Sequence, residues 1–292
     1  MWTFLGWYLL FLISVYAALS FRVLPRPMMK IWFGMILILN MLLTGVFTLL
    51  ADRLRLVGVK RTTTQVLCTY ICCVTFHQVV FWNPQIQITL EASDLRWSDI
   101  PMPSAVVLNH SSLFDAFLFV AVAPLTYIWN VKTLMKDSLR EIPIFGGVFD
   151  RIGHFPVYFN SDKDGDFSVN KEKQAAVAQR VDEHIQRKGR LALFPEGVVN
   201  KNPVTLSMFR LGTFSTIITH KLPLYYILTV GNHETWPRGS TMGGLPANIH
   251  LFVKKFEVDF LKDDAKAIAD RLQAEMQVEL DRINDLKGKK YA

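Results

Sequence analysis

Cysteine is scarce in this chain: three in 292 residues, Cys68, Cys72 and Cys73, all inside one apolar stretch. Their spacing matches no zinc ligand set, and no histidine lies close in sequence except His77, so bland buried or lipid-facing thiols are preferred over a metal site or a disulfide scaffold. No G-x-S-x-G occurs, which argues against a serine hydrolase. Charge is thin, 20% of residues, with 25 acidic against 32 basic side chains and a net charge of +7. The basic residues are nowhere interleaved with aromatics along one face, so nucleic acid is not the expected partner. An anionic membrane surface or anionic substrates suit the charge better. Repeats are absent too. The loop Asn160–Asp166 carries a D-x-D-x-D run, but its Gly comes early and the bidentate Glu is missing, which rejects an EF-hand.

What the chain has in plenty is apolar residues, 51% of the total, with a mean hydropathy of +0.23. Trp2–Leu19 and Ile31–Leu50 carry no charge, and each is long enough to span or enter a bilayer. The first has no basic residue ahead of it and no small-residue cleavage site, so a signal anchor is preferred to a removed signal peptide. Arg22, Arg26 and Lys30 precede the second run, and Arg53, Arg55, Lys60 and Arg61 follow it. Both flanks are basic, so the positive-inside rule leaves topology open, with a hairpin whose ends are both cytosolic as one resolution. Val66–Trp82 is a third apolar stretch, notched by His77 and Gln78, and reads as a membrane-embedded or domain-packing helix.

These runs set aside residues 1–83 as membrane-embedded helical segments. An α/β domain is expected over 84–262, and a C-terminal amphipathic helix with a basic tail over 263–292. Within the domain, strands are expected at Gln85–Glu91, Ser104–Leu108, Thr126–Val131, Phe155–Phe159, Leu191–Phe194, Leu222–Val230 and Asn248–Val253. Helices are expected at 116–122, around 133–152, and at Asn170–Lys188 and Ser207–His220. Strands alternating with helices predict a mainly parallel sheet flanked by helices. In Asp263–Leu286, Ile268, Leu272, Met276, Leu280 and Ile283 line one face, which either packs on the domain or lies on a membrane.

One stretch carries chemistry: Asn109-His110-Ser111-Ser112-Leu113-Phe114-Asp115. It stands where the buried strand Ser104–Leu108 ends and a helix begins, the place where open α/β sheets bind ligands. A histidine acting as a base needs a fixed tautomer, and a carboxylate accepting its second N–H supplies one. With Asp115 five positions on, the first helical turn can bring it under His110. A helix capped by Asn109 or Ser111 beside an ordinary loop histidine is the competing reading.

Further on come Ile142-Pro143-Ile144-Phe145-Gly146 and the turn Phe194-Pro195-Glu196-Gly197. In this order and spacing the set resembles the glycerophospholipid acyltransferase family, of the lysophosphatidic acid acyltransferase type, whose first block is N-H-x4-D and third F-P-E-G. The resemblance covers about residues 85–260. It implies that His110 is the general base and Asp115 its orienter. It further implies direct transfer from acyl-CoA, a co-substrate, to the free hydroxyl of a lysophospholipid, without acyl-enzyme, cofactor or metal. Glu196 and Gly197 map onto the acceptor-binding block, and Phe209-Arg210-Leu211-Gly212 resembles the F-K-x-G after it, giving Arg210 to a phosphate. Oxyanion donors are expected from the helix N-terminus or the turn at Gly197.

The second block departs from its usual G-x-x-F-x-x-R: Phe159 stands where the Arg belongs, and Arg151 is the substitute. The third continues Val198-Val199-Asn200-Lys201, and the fourth has Tyr226 where Pro is common. These departures leave the head group open. Another acceptor, a transacylation, or a non-catalytic membrane protein on the same fold are the alternatives. Trp236-Pro237-Arg238-Gly239 has no assigned role. Lys289 and Lys290 resemble a dilysine retrieval signal, which implies the endoplasmic reticulum membrane with the catalytic domain on its cytosolic face.

Overall fold

The computed structural model describes residues 2–91, 93, 95–160 and 168–291. The D-x-D-x-D run falls outside them. Three helices come first, α1 (Trp2–Ser20), α2 (Arg26–Arg53) and α3 (Arg61–Phe81). The stretches Arg26–Val57 and Arg61–Phe81 are long and apolar enough to cross a membrane. α2 and α3 pack together along small and hydroxylated side chains. Thr44 and Thr75 share a hydrogen bond of 2.6 Å across the pair, and each also bonds to its own helix backbone. Side chains that satisfy themselves in this way can be buried in an apolar seam.

The remaining elements alternate as expected: β1 (Ile86–Leu90), β2 (Ser104–Leu108), α4 (Phe114–Val122), α5 (Leu125–Ile128), β3 (Val131–Lys136), α6 (Gly146–Ile152), β4 (Phe155–Val157), α7 (Lys171–Gln186), β5 (Arg190–Leu193), α8 (Leu211–Thr219), β6 (Leu224–Val230), α9 (Asn232–Thr235), β7 (Ala247–Phe256) and α10 (Ala265–Tyr291). The strands form one seven-stranded sheet in the order β1-β7-β6-β2-β5-β3-β4, parallel throughout except between β6 and β7.

Three expectations shift. Thr126–Val131 was to be a strand; α5 takes its first part and β3 starts at Val131. Pro124 stands at the helix N-cap, where its fixed φ suits a helix start, and this outweighs the β-favouring Tyr127 and Ile128. β3 in turn runs on through Thr133 and Lys136, polar residues inside the stretch read as helical. The helix expected from Ser207 begins only at Leu211.

Alternation along the central strands shows why the sheet is covered on both faces. Ala105 and Val107 of β2, Leu191 and Leu193 of β5, and Leu224, Tyr226 and Leu228 of β6 join one core with α7, α8 and α10. Val106 and Leu108, Ala192, and Tyr225 and Ile227 point into the opposite core with Phe119, Tyr127 and Ile128. Strands buried on both faces read as continuous apolar runs, which is how β2 appears in the sequence. The α10 face of Ile268, Leu272, Met276, Leu280 and Ile283 is buried in the first core, so the helix packs on the domain. A third core joins Phe33 and Leu37 of α2, Cys68, Cys72 and Phe76 of α3, and Phe114, Leu118 and Val148 of the domain.

Candidate active site

The strands β6, β2 and β5 are adjacent and mutually parallel. Their carboxyl ends therefore open at the same edge of the sheet, and the site is assembled from the three turns that follow them. The turn after β2 carries His110. Its Nδ1 lies 2.9 Å from Asp115 Oδ2. A carboxylate can only accept, so the neutral ring donates through Nδ1 and keeps its lone pair on Nε2. Asp115 is buried, and its second oxygen accepts from Asn232 Nδ2 at 2.6 Å, while Oδ2 also accepts from the Ser112 N–H at 2.9 Å. Three donors thus fix one carboxylate. His110 packs beside Phe194, ring centroids 4.9 Å apart, with its side chain 20% exposed. The imidazole is therefore held on one side and open on another.

Neither Asn109 nor Ser111 caps α4. Asn109 exchanges hydrogen bonds with the backbone of Thr229, as donor at 2.9 Å and acceptor at 2.8 Å, and so locks the end of β2 to β6. Ser112 supports the helix start instead, its Oγ accepting from the Phe114 N–H at 3.1 Å and donating to the Trp236 carbonyl at 2.9 Å.

Glu196, on the turn after β5, is buried and reaches across to the same loop. Its Oε1 accepts from the His110 N–H at 2.7 Å, and its Oε2 from Asn200 Nδ2 at 2.8 Å and the Ser207 N–H at 3.0 Å. Burial pushes this carboxyl above its ordinary value, against the hydrogen bonds from His110 and Ser207, which favour the ion. The Asn200 N–H donates to the His110 carbonyl at 2.7 Å, so the histidine backbone is clamped on both sides by the third-block turn. A base tied through backbone and ring, in a partly open position at a sheet edge, can accept a proton from a hydroxyl presented to Nε2.

Residues 99–236 match the Acyltransferase family. The chain carries an acyltransferase domain. The fold agrees with the crystal structure of the 1-acyl-sn-glycerophosphate (LPA) acyltransferase PlsC from Thermotoga maritima, with a TM-score of 0.67 over 89% of this chain and 96% of that one, at 15% identity. No curated protein matches the chain by sequence.

In the acyltransferase domain, Gly197 has φ +75°, and a Cβ there would sit 2.5 Å from Arg210 Nε. Glycine alone fits both demands comfortably. Arg210 lies against this turn, its N–H donating to the Pro195 carbonyl at 2.9 Å and its Nε to the Glu196 carbonyl at 3.3 Å. A cavity of about 620 Å³ opens here, walled by Glu196, Asn200, Lys201, Met208, Arg210 and Arg238 among others. The Gly197 N–H donates to the Phe194 carbonyl at 3.0 Å, so it is already engaged and is not the expected oxyanion donor.

Arg151 is placed elsewhere. It lies on α6, and its Nη1 donates to Gly45 O at 3.4 Å and Thr48 Oγ1 at 3.3 Å, both on α2. It is not among the residues walling the cavity, because α6 packs against α2 and α3 and turns this side chain toward them. Arg151 and Arg210 therefore do not converge on that cavity. Asn232 was missed from sequence. It sits in a four-residue helix, 117 positions from Asp115, and only the pairing of β6 with β2 brings it near.

Proposed function

We propose that this chain is a membrane-associated, acyl-CoA-dependent acyltransferase that esterifies the free hydroxyl of lysophosphatidic acid, giving phosphatidic acid. The observation carrying the reading is the 2.9 Å contact of His110 Nδ1 with a buried Asp115, which leaves Nε2 as the basic atom. His110 takes the proton of the acceptor hydroxyl as its oxygen attacks the thioester carbonyl. The tetrahedral intermediate collapses, the carbon–sulfur bond breaks, and the thiolate of coenzyme A receives the proton from the imidazolium. Asp115 stabilises that imidazolium.

Glu196 acts in this scheme as a positioning residue for His110, since its oxygens already serve three donors. Arg210 is the acceptor-side cation. The apolar helices at Arg26–Val57 and Arg61–Phe81 support membrane association. The endoplasmic reticulum location read from Lys289 and Lys290 belongs to the same proposal.

The test is transfer of labelled oleoyl groups from oleoyl-CoA in membranes containing the full chain, across lysophospholipids and glycerol 3-phosphate. Label in phosphatidic acid, absent with His110→Ala, is the expected result. Label in another product would replace the acceptor. Full turnover by His110→Ala would remove the mechanism.

A further inference from the structure

We propose that Arg238, with Lys201 and Arg210, forms a phosphate clamp at the mouth of the cavity. The proposal rests on the acyl-transfer reading above and assigns these residues to a phosphate group of a substrate. The three cations come from two connections: Lys201 and Arg210 from the one between β5 and α8, and Arg238 from the one after α9. Glu196 is the one acid among the described residues lining the cavity, and its carboxylate faces the His110, Asn200 and Ser207 donors. The wall is therefore positive and suits a dianion.

Arg238 is aimed rather than adrift. Its Nη1 donates to the Val199 carbonyl at 2.6 Å. One edge of the guanidinium is fixed there, and the planar fork that remains matches phosphate oxygens. The loop bearing it is anchored as well. Trp236 is buried, stacks on Phe117 at 6.3 Å and meets Phe33 edge-on at 5.7 Å. Its carbonyl accepts from Ser112 Oγ, in the same turn as His110. On the far side, Lys30 of α2 donates to Ser240 Oγ at 3.2 Å. Gly244 has φ +99°, and a Cβ there would lie 2.3 Å from the Phe33 Cβ, so the loop rests directly on α2. The cation is thus registered to both the base and the first long apolar helix.

The neighbouring wall is apolar. Val198, Met208 and Leu211 are exposed beside the cations, Met208 by 82%. Charge beside bare apolar surface fits a ligand with a phosphate head and an acyl chain. Lysophosphatidic acid and acyl-CoA both offer that combination, and the experiment separates them.

Full-length protein in detergent is assayed as wild type, Arg238→Gln, Arg238→Lys and Lys201→Gln/Arg238→Gln, recording KM and kcat for each substrate. In parallel, affinities for lysophosphatidic acid, oleoyl-CoA and phosphate-free monoacylglycerol are measured on the His110→Ala background, with thermal unfolding as the folding control. Arg238→Gln is expected to raise one substrate's KM by about tenfold, as for loss of one charge-assisted hydrogen bond. In that outcome kcat changes little, Arg238→Lys restores part of the affinity, and monoacylglycerol binding stays unmoved. A rise confined to lysophosphatidic acid assigns the acceptor's phosphate; one confined to oleoyl-CoA assigns the nucleotide phosphates. Unchanged affinity for both, or equal weakening of monoacylglycerol, would overturn the clamp. If wild type turns over neither substrate, selective loss of binding on the His110→Ala background upholds the clamp while the proposed activity falls.

Discussion

Three donors on one carboxylate make Asp115 intolerant of a change that conserves its shape. His110 Nδ1, the Ser112 N–H and Asn232 Nδ2 all point at it. A carboxamide has one acceptor oxygen, so Asp115→Asn sets an NH2 group against at least one donor. Turnover is expected to fall by roughly 10²–10⁴-fold, the scale of general-base catalysis. A pH–rate profile of the variant checks this, because a mispositioned imidazole loses its rising limb. Lys132 answers to pH differently. It is buried on β3, donates to the Ile152 carbonyl, and lies near Cys68, His154 and His184. Burial brings its ammonium down to about 8 from 10.5. Between those values the unfolded chain holds a proton that the native state has released, so stability rises with pH across this window. Below pH 8 the cost of burying the charge is fully present. Lys132→Met is expected to flatten that rise, read from thermal unfolding at about pH 7 to 10.5.

At the scale of elements, α10 bears most directly on stability. Leu272 is fully buried in the core it shares with α8 and β6, and Leu272→Ala is expected to cost about 2–5 kcal/mol, measured by chemical denaturation with activity retained below the transition. The periodic face of this helix could be read residue by residue from the sequence. So could β2, because a strand buried on both faces has no polar interruption. β3 could not, since among the described residues the Ile152 carbonyl is what accepts from Lys132, and that contact is tertiary. The same division runs through the site. His110 and Asp115 are local, five positions apart. Their neighbour Glu196 was legible as part of a motif, but its bond to the His110 backbone is a product of β2–β5 pairing. The place of Arg151 against α2 was hidden for a related reason: spacing along the chain says nothing about which way α6 turns its side chains. Arg190 makes the point again. Its guanidinium donates to the carbonyls of Ile100, Pro101 and Tyr127, which lie 63 to 90 positions away and meet it only in the folded chain.

For the molecule as a whole, the division into residues 1–83 and a following domain does not mark a break in packing. Phe33, Leu37, Cys68 and Phe76 share one core with Phe114, Leu118, Phe145 and Val148. A chain beginning at residue 84 bares that surface, and is expected to elute as aggregate in size-exclusion chromatography where the full chain in detergent gives a defined peak. Continuous packing also ties the helices to the His110 turn, because Phe33 supports Trp236 and the Trp236 carbonyl receives Ser112. The three-strand assembly of the site has a consequence in time. A ribosome completes His110 and Asp115 long before Asn232, and the 117 positions from Asp115 to Asn232 occupy it for roughly 6–23 s at about 5–20 residues per second. Throughout that interval the nascent chain holds an aspartate whose second oxygen has not yet met its donor. Onset of acyl transfer in a synchronised translation reaction would therefore mark the moment β6 slots beside β2, and serve as a clock for that pairing.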